Sequence, residues 1–185
     1  MSAIEGWIFE DKKSSGDMFL RVKSGCKLKV RLVGKPMKIY KVFSRDKRCA
    51  VLDSQETGEM LRNRHAGKLG EVNVRYVCWC FHRDDSNGMK VLDMPQSVAR
   101  TIGNRQVLTG KSVSGSQEGC DWQIMTNGKQ GKEVRYDAVY LEESPLTEKE
   151  IEMINEKRES KDEKFNLMEL FKPLNVEQAE EKLFG

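Results

Sequence analysis

Alternating apolar and basic residues mark the first strand that the sequence predicts. Between residues 27 and 32, every second side chain is apolar and those between are cations, and Val33 follows. This period of two is typical of a strand with one buried and one solvated face. After a turn at 34–36, a second strand over 37–43 adds cations together with rings. The basic and aromatic side chains of the two strands are Lys27, Lys29, Arg31, Lys38, Tyr40, Lys41 and Phe43.

A third strand, predicted over residues 72–83, has two different faces. Its even positions are Val72, Val74, Tyr76, Cys78 and Cys80, an apolar row that we expect to enter the core. Its odd positions place Trp79 and Phe81 between Arg75 and Arg83 on the outer face. Large exposed rings are costly for a soluble protein, so we expect something to cover this face.

The remaining pattern of the body predicts a mainly β fold. A turn at 84–88 leads to a strand over 89–94, Pro95 opens a short helix that Gly103 closes, and two strands follow at 120–125 and 134–141. Short antiparallel strands with one small internal helix indicate an OB-fold, a small Greek-key barrel. We expect this domain to span 1–141, with an apolar group at 7–9 and a basic insertion at 44–70 outside the core.

The last segment, 142–185, reads as an α-helical tail. Thr147 and Glu150 have the spacing of a capping box, and Asn175 with Gln178 form a second cap pair. Between them, residues 165–171 are mostly apolar. Such a short segment cannot bury its apolar side alone, so we expect it to dock on another surface.

Composition and charge narrow the classes of function. The chain has 185 residues, of which 38% are hydrophobic, enough for one domain and an appendage. Neither a long apolar run nor a leader pattern is visible, and five cysteines suggest no disulfide framework, so we expect a cytoplasmic protein with reduced thiols.

Opposite charges separate the body from the tail. Residues 142–185 carry 13 acids and 7 bases, whereas residues 1–141 carry 25 bases and 16 acids. A basic body implies a polyanionic partner. An acidic tail implies either a protein partner or a segment that competes for the basic surface.

The candidate site combines cations with flat rings, as single-stranded nucleic acid requires, because cations follow phosphates while rings stack on unpaired bases. For any one ring, filling the core is the simpler interpretation, but the set as a whole favours binding. The predicted site consists of Lys27, Lys29, Arg31, Lys38, Tyr40, Lys41, Phe43, Arg75, Trp79, Phe81 and Arg83.

Metal binding and catalysis have weaker support. Cys78, Cys80 and His82, with Cys49 or His65, are potential zinc ligands, but alternate strand residues stand in a row instead of converging on one ion. Core packing explains the two strand cysteines better. No nucleophile motif or phosphate-binding glycine loop is present. We therefore expect no cofactor and no enzymatic activity.

Several segments, in order, resemble the single-stranded-DNA-binding (helix-destabilising) proteins of tailed bacteriophages related to that of the T-even phages. The resemblance spans about 20–185. Its segments are 27–32 with 38–41, 75–84 with 90–95, 121–124 with Gly128 and 135–136, and 167–184.

The resemblance implies roles for both parts of the chain. Site residues Lys29, Arg31, Lys38, Tyr40, Arg75, Trp79 and Phe81 would face the DNA strand, and the tail from Glu142 would recruit replication partners or cover the groove. The segment 12–15 is similar to a basic motif used for neighbour contacts, although a plain loop explains it better. Where the T-even proteins carry a zinc subdomain, only Cys49 and His65 remain here as potential ligands.

The sequence therefore predicts binding and protection of single-stranded DNA, without sequence preference, during phage DNA replication, recombination and repair in the host cytoplasm. One alternative is an adaptor of the replication machinery that acts through its C-terminal tail. Another is an RNA-binding regulator, because stacking platforms accept either backbone. Self-association on DNA stays open.

Overall fold

The computed structural model describes residues 18–20, 22, 25–85, 88–129, 134–160 and 166–185. Within these residues, seven strands form one mixed sheet with helices packed around it. The strands are β1 (Phe19–Leu20), β2 (Lys27–Phe43), β3 (Cys49–Leu52), β4 (Asn73–His82), β5 (Met89–Pro95), β6 (Cys120–Thr126) and β7 (Tyr136–Glu143). The helices are α1 (Gln55–Arg64), α2 (Gln96–Thr109), α3 (Glu148–Glu159), α4 (Leu167–Leu170) and α5 (Val176–Phe184).

The long strand β2 organises the sheet. The strand order is β1-β5-β4-β2-β6-β7, with β3 paired to the far end of β2, and all pairs except β1–β5 are antiparallel. The register of β2 against β4 shifts between Val33 and Met37, where Gly34 has a positive φ of 71°. Over the described residues the sheet is mainly antiparallel and does not close into a barrel.

The inner face of the sheet carries the main core. Tyr76, Cys78 and Cys80 of β4 enter it together with residues of β2, β5, β6 and β7, which confirms the predicted apolar row at these three positions. Helix α2 covers this core with Val98 and Ile102. It is longer than the sequence predicted, because it continues past residue 103 and ends at Thr109.

The end of α2 explains this correction. Gly103 lies inside the helix, where a glycine is tolerated at a modest cost. Gly110 is the residue in the left-handed conformation that terminates the helix, with a φ of 68°. A glycine therefore closes α2 as expected, but seven positions later in the chain.

The outer face of the sheet carries a second apolar layer, and the tail supplies its cover. One apolar cluster on this face contains Val33, Phe81 and Met89 of the sheet. These residues pack against Leu146, just before α3, and against Ile154 within α3. Further along the face, Val77, Ile39 and Val91 form a cluster with Phe171, beside Leu167 and Leu170 of α4. The docking surface expected for the tail is thus the outer face of its own sheet.

The sequence predicted that the basic insertion at 44–70 lies outside the core, and this prediction is wrong. The insertion contains β3 and α1, and Ala50, Leu52 and Leu61 are buried in it. Their apolar partners come from α5, where Val176, Ala179 and Leu183 complete the cluster. The insertion has a core because the end of the chain folds back onto it.

Both predicted caps of the tail are confirmed. Thr147 and Glu150 form a capping box at the start of α3, and Asn175 with Gln178 form another at α5. The predicted apolar group at 7–9 and the segment 12–15 lie outside the described residues. Among the described helices, none is long and apolar enough to cross a membrane.

Candidate nucleic-acid interface

The register of the sheet divides the predicted site between two faces. Arg31 pairs with Phe81 and Val33 pairs with Trp79, so the odd positions of β2 and β4 share the outer face. Lys38 pairs with Tyr76, a residue of the inner face. The outer group comprises Lys27, Lys29, Arg31, Lys41, Phe43, Arg75, Trp79, Phe81 and Arg83, and the inner group comprises Lys38 and Tyr40.

The two central rings of the outer face are covered by the tail. Phe81 is only 6% exposed and packs in one cluster with Leu146 and Ile154. Trp79 is half-buried, and the ammonium of Lys157 in α3 lies 5.8 Å from the centroid of its ring. A base can stack on these rings only when α3 moves away from the sheet.

Arg31 is fully buried, and it ties β2 to two loops instead of facing solvent. Its guanidinium donates to the backbone carbonyls of Leu32, Gly115 and Ser144. Burial lowers the pKa of this side chain. Its position does not support the predicted contact with a phosphate, because backbone carbonyls already surround the guanidinium. The alternation in the sequence indicates the face on which Arg31 lies, but it does not show what covers that face.

Lys41 and Arg75 share one carboxylate, which the sequence analysis did not single out. The Arg75 Nε donates to Asp93 Oδ1 at 2.7 Å, and the Lys41 ammonium donates to the other oxygen of Asp93. Lys41 is 0% exposed and Arg75 is 9% exposed. Asp93 pairs with Val77 across the sheet, so strand alternation alone could have placed it on this face.

Lys29 and Arg83 form a second charged cluster, whose acids are Asp121 of β6, Glu142 of β7 and Glu150 of α3. The Lys29 Nζ lies 3.0 Å from Glu142 Oε1, and this hydrogen bond raises the pKa of Lys29. The Arg83 Nε lies 3.0 Å from Asp121 Oδ1, and the same guanidinium donates to Glu150 of α3. Carboxylates of the body and of the tail thus neutralise the cations that were predicted to bind phosphates.

The inner group stays open to solvent. The Lys38 ammonium lies 4.8 Å from the centroid of the Tyr40 ring, and a hydrogen bond with Tyr40 raises the pKa of Lys38. Lys38 is exposed, and Tyr40 and Tyr76 are half-buried. Sequence reasoning had assigned Tyr76 to the core alone. On the outer face, Lys27 is also exposed, at the start of β2.

Potential metal ligands do not come together in the described part of the chain. It contains no group of three or more His, Cys, Asp or Glu side chains placed to hold an ion. Cys78 and Cys80 are buried side by side in the core, and burial raises the pKa of Cys78 to about 12. His65 stacks on Phe184 with ring centroids 4.2 Å apart and contacts Glu180.

No protein-family model and no curated protein matches this chain.

An open groove runs beside the covered rings. It has a volume of about 600 Å³ and lies between α3, the bend of β2 and the loop 112–116. Leu146, Ile151 and Ile154 line one side, and Lys35 and Arg158 are the cations of its lining. The groove borders the apolar cluster of Phe81, with which it shares Val33, Leu146 and Ile154.

Proposed function

We propose that this protein binds single-stranded DNA without sequence preference, on the outer face of its sheet, and that its acidic tail occupies this face when DNA is absent. The observation that carries the proposal is the contact of Arg83 with Glu150 of α3, next to the contact of Lys29 with Glu142 at the end of β7. Carboxylates stand where the proposal expects phosphates, and apolar side chains of α3 cover the rings on which bases would stack.

The order of the strands supports an OB-type architecture. The path β5-β4-β2-β6-β7 follows one continuous antiparallel sheet, and α2 lies in the chain between β5 and β6. In chain order these five strands are β2, β4, β5, β6 and β7, so α2 lies between the third and the fourth. This is the arrangement expected of an OB-fold. In this class, oligonucleotides bind the face that corresponds here to β4 and β5.

Binding on this face is an exchange of partners. The DNA must replace the ion pairs that Glu142 and Glu150 form with Lys29 and Arg83, and its phosphates take the place of these carboxylates. Its bases take the place of the apolar contacts of Ile154 and Phe171. Each stacked base contributes about 1–3 kcal/mol. Because the tail competes, the full chain binds more weakly than its bare face would.

A titration tests the proposal. The full chain is titrated with an unstructured single-stranded DNA, its duplex and the matching RNA, and tryptophan fluorescence is recorded between low and physiological salt. We expect tighter binding to the single strand than to the duplex, with an affinity that falls steeply as salt rises. Equal affinity for the duplex, or no dependence on salt, would contradict the proposal. Preference for the RNA would favour the RNA-binding alternative.

Displacement of the tail also provides a route to protein partners. Leu167, Leu170 and Phe171 are packed on the sheet in the docked state and become accessible when α3 and α4 detach. We propose that replication or recombination proteins bind this segment on the DNA-bound form. This extends the adaptor alternative, because it makes recruitment of the partner depend on DNA.

A further inference from the structure

A second basic surface lies on the insertion, away from the covered outer face. The antiparallel pair β2–β3 ends in the tight turn 44–48, and α1 runs back toward that turn from the far end of β3. The helix has 10 residues, so its two ends are about 15 Å apart. Its basic last turn and the following loop thus join the turn. We call this surface the insertion patch; its cations are Arg45, Lys47, Arg48, Arg62, Arg64 and Lys68.

Backbone hydrogen bonds fix the insertion patch. The Arg45 amide donates to the Lys68 carbonyl at 3.0 Å, and the Gly70 amide donates to the Phe43 carbonyl at 2.9 Å. Lys47 has a φ of 65°, a left-handed conformation that disfavours a lysine compared with glycine or asparagine. A rigid turn that holds a lysine in this conformation presents its cations in a defined arrangement.

The charge of the insertion patch is open, unlike that of the outer face. All six cations are exposed. Among the described residues, Arg64 has an ion pair with Glu180, whereas no ion pair is found for Arg45, Lys47, Arg48 or Arg62. Asp46 is the acid within the turn, and the acids at the start of α1 lie at the opposite end of the helix.

The insertion patch is also continuous with the proposed DNA-binding face. Phe43, the last residue of β2, is hydrogen-bonded to Gly70 beside the patch, and Lys41 lies two residues before it. At about 3.3 Å per residue, Lys41 and Phe43 are about 7 Å apart along β2, so the patch directly adjoins this face. One strand can therefore cross from the patch onto the sheet.

We propose that the insertion patch is the site at which single-stranded DNA first attaches, through its phosphates, while the tail still covers the outer face. This inference rests on the proposed function and adds an order of events to it. Exposed cations of one sign raise the local concentration of a polyanion and increase its association rate. The bound strand then competes with the tail for the adjacent face.

The test compares two variants of the full chain that lose the same charge. The first, R45Q/K47Q/R48Q, removes the cations of the turn. The matched control, R100Q/K111Q/R135Q, removes three exposed cations outside the patch, the outer face and the tail. Association with a labelled single-stranded oligonucleotide is followed by stopped-flow fluorescence at several salt concentrations, and thermal unfolding confirms that both variants fold.

We expect the turn variant to associate about tenfold more slowly at low salt and to show a shallower salt dependence, with a change of less than about twofold for the control. Equal association rates for the two variants, with normal binding by the unchanged chain, would overturn the insertion patch alone. Absence of binding by the unchanged chain would overturn the proposed function as well. If the triple variant unfolds, K47G replaces it, because glycine accepts the left-handed conformation of this turn and the charge is removed without backbone cost. Slower association of K47G supports the insertion patch, and an unchanged rate contradicts it.

Discussion

Arg83, directly after β4, donates hydrogen bonds to Glu150 in α3, sixty-seven residues later in the chain. The same guanidinium binds Asp121 of β6, so one arginine joins the body of the sheet to the acidic tail. Glu150 also forms the capping box of α3 with Thr147. Glu150 therefore has two roles: it caps α3, and it pairs with Arg83 on the outer face of the sheet that α3 covers.

Removing the charge of Glu150 should strengthen DNA binding. In the variant E150Q, a neutral amide replaces the carboxylate that Arg83 contacts, and a neutral hydrogen bond contributes about 1 kcal/mol less than a charged one. We expect E150Q to bind a single-stranded oligonucleotide about three- to tenfold more tightly in a fluorescence titration. The control is E152Q, because Glu152 is exposed on the same helix. The same affinity for both variants would count against competition by the tail.

For DNA affinity, an aromatic ring at position 79 should matter more than the volume of the side chain. We expect W79F to keep most of the affinity, and W79L to lose about 1–3 kcal/mol of binding free energy because the stacking surface is absent. Thermal unfolding of both variants shows whether the contact with α3 is retained. If W79L binds like the unchanged chain, bases do not stack at this position.

Two glycines should respond in opposite ways to alanine. A Cβ on Gly119 would lie 2.1 Å from a nitrogen of the buried Arg31 guanidinium, whereas a Cβ on Gly103 would meet nothing within 4 Å. We expect G119A to lower the free energy of unfolding by about 1–3 kcal/mol through overpacking. We expect G103A to raise it by about 0.5–1 kcal/mol, because alanine favours the helix interior. Urea unfolding measures both, and a neutral G119A would contradict the packing of Arg31.

The cysteines should differ in reactivity according to burial. Cys26 is exposed, whereas Cys78 and Cys80 are buried and burial raises the pKa of Cys78 to about 12. Because the thiolate is the reactive form, we expect alkylation at pH 8 to modify Cys26 and to spare the two core thiols until the protein unfolds. Mass spectrometry of peptides after timed labelling measures the rates. Rapid modification of Cys78 in the folded protein would contradict its position in the core.

Local patterns in the sequence predicted those features that depend on neighbouring residues. The alternation in β4 separated Cys78 and Cys80 from Trp79 and Phe81, and the spacing of Thr147 and Glu150 predicted a capping box. These features follow from the geometry of one strand or one helical turn, so a short window is sufficient.

Features that depend on distant residues could not be predicted in this way. Arg31 is buried by carbonyls of Gly115 and Ser144, more than eighty residues away along the chain. The insertion acquires a core only because α5 supplies Ala179 and Leu183. A cation in a strand has the same sequence pattern whether a phosphate, a carboxylate or a carbonyl approaches it, so the predicted site included both open and neutralised residues.

We propose that DNA and the tail compete for one face of the sheet. Hydrogen exchange of the full chain, with and without a saturating single-stranded oligonucleotide, tests it most directly. We predict faster exchange of the α3 amides when DNA is bound, because the helix leaves the sheet, and unchanged exchange in α2 on the opposite face. Unchanged or slower exchange throughout α3 at saturating DNA would contradict the account.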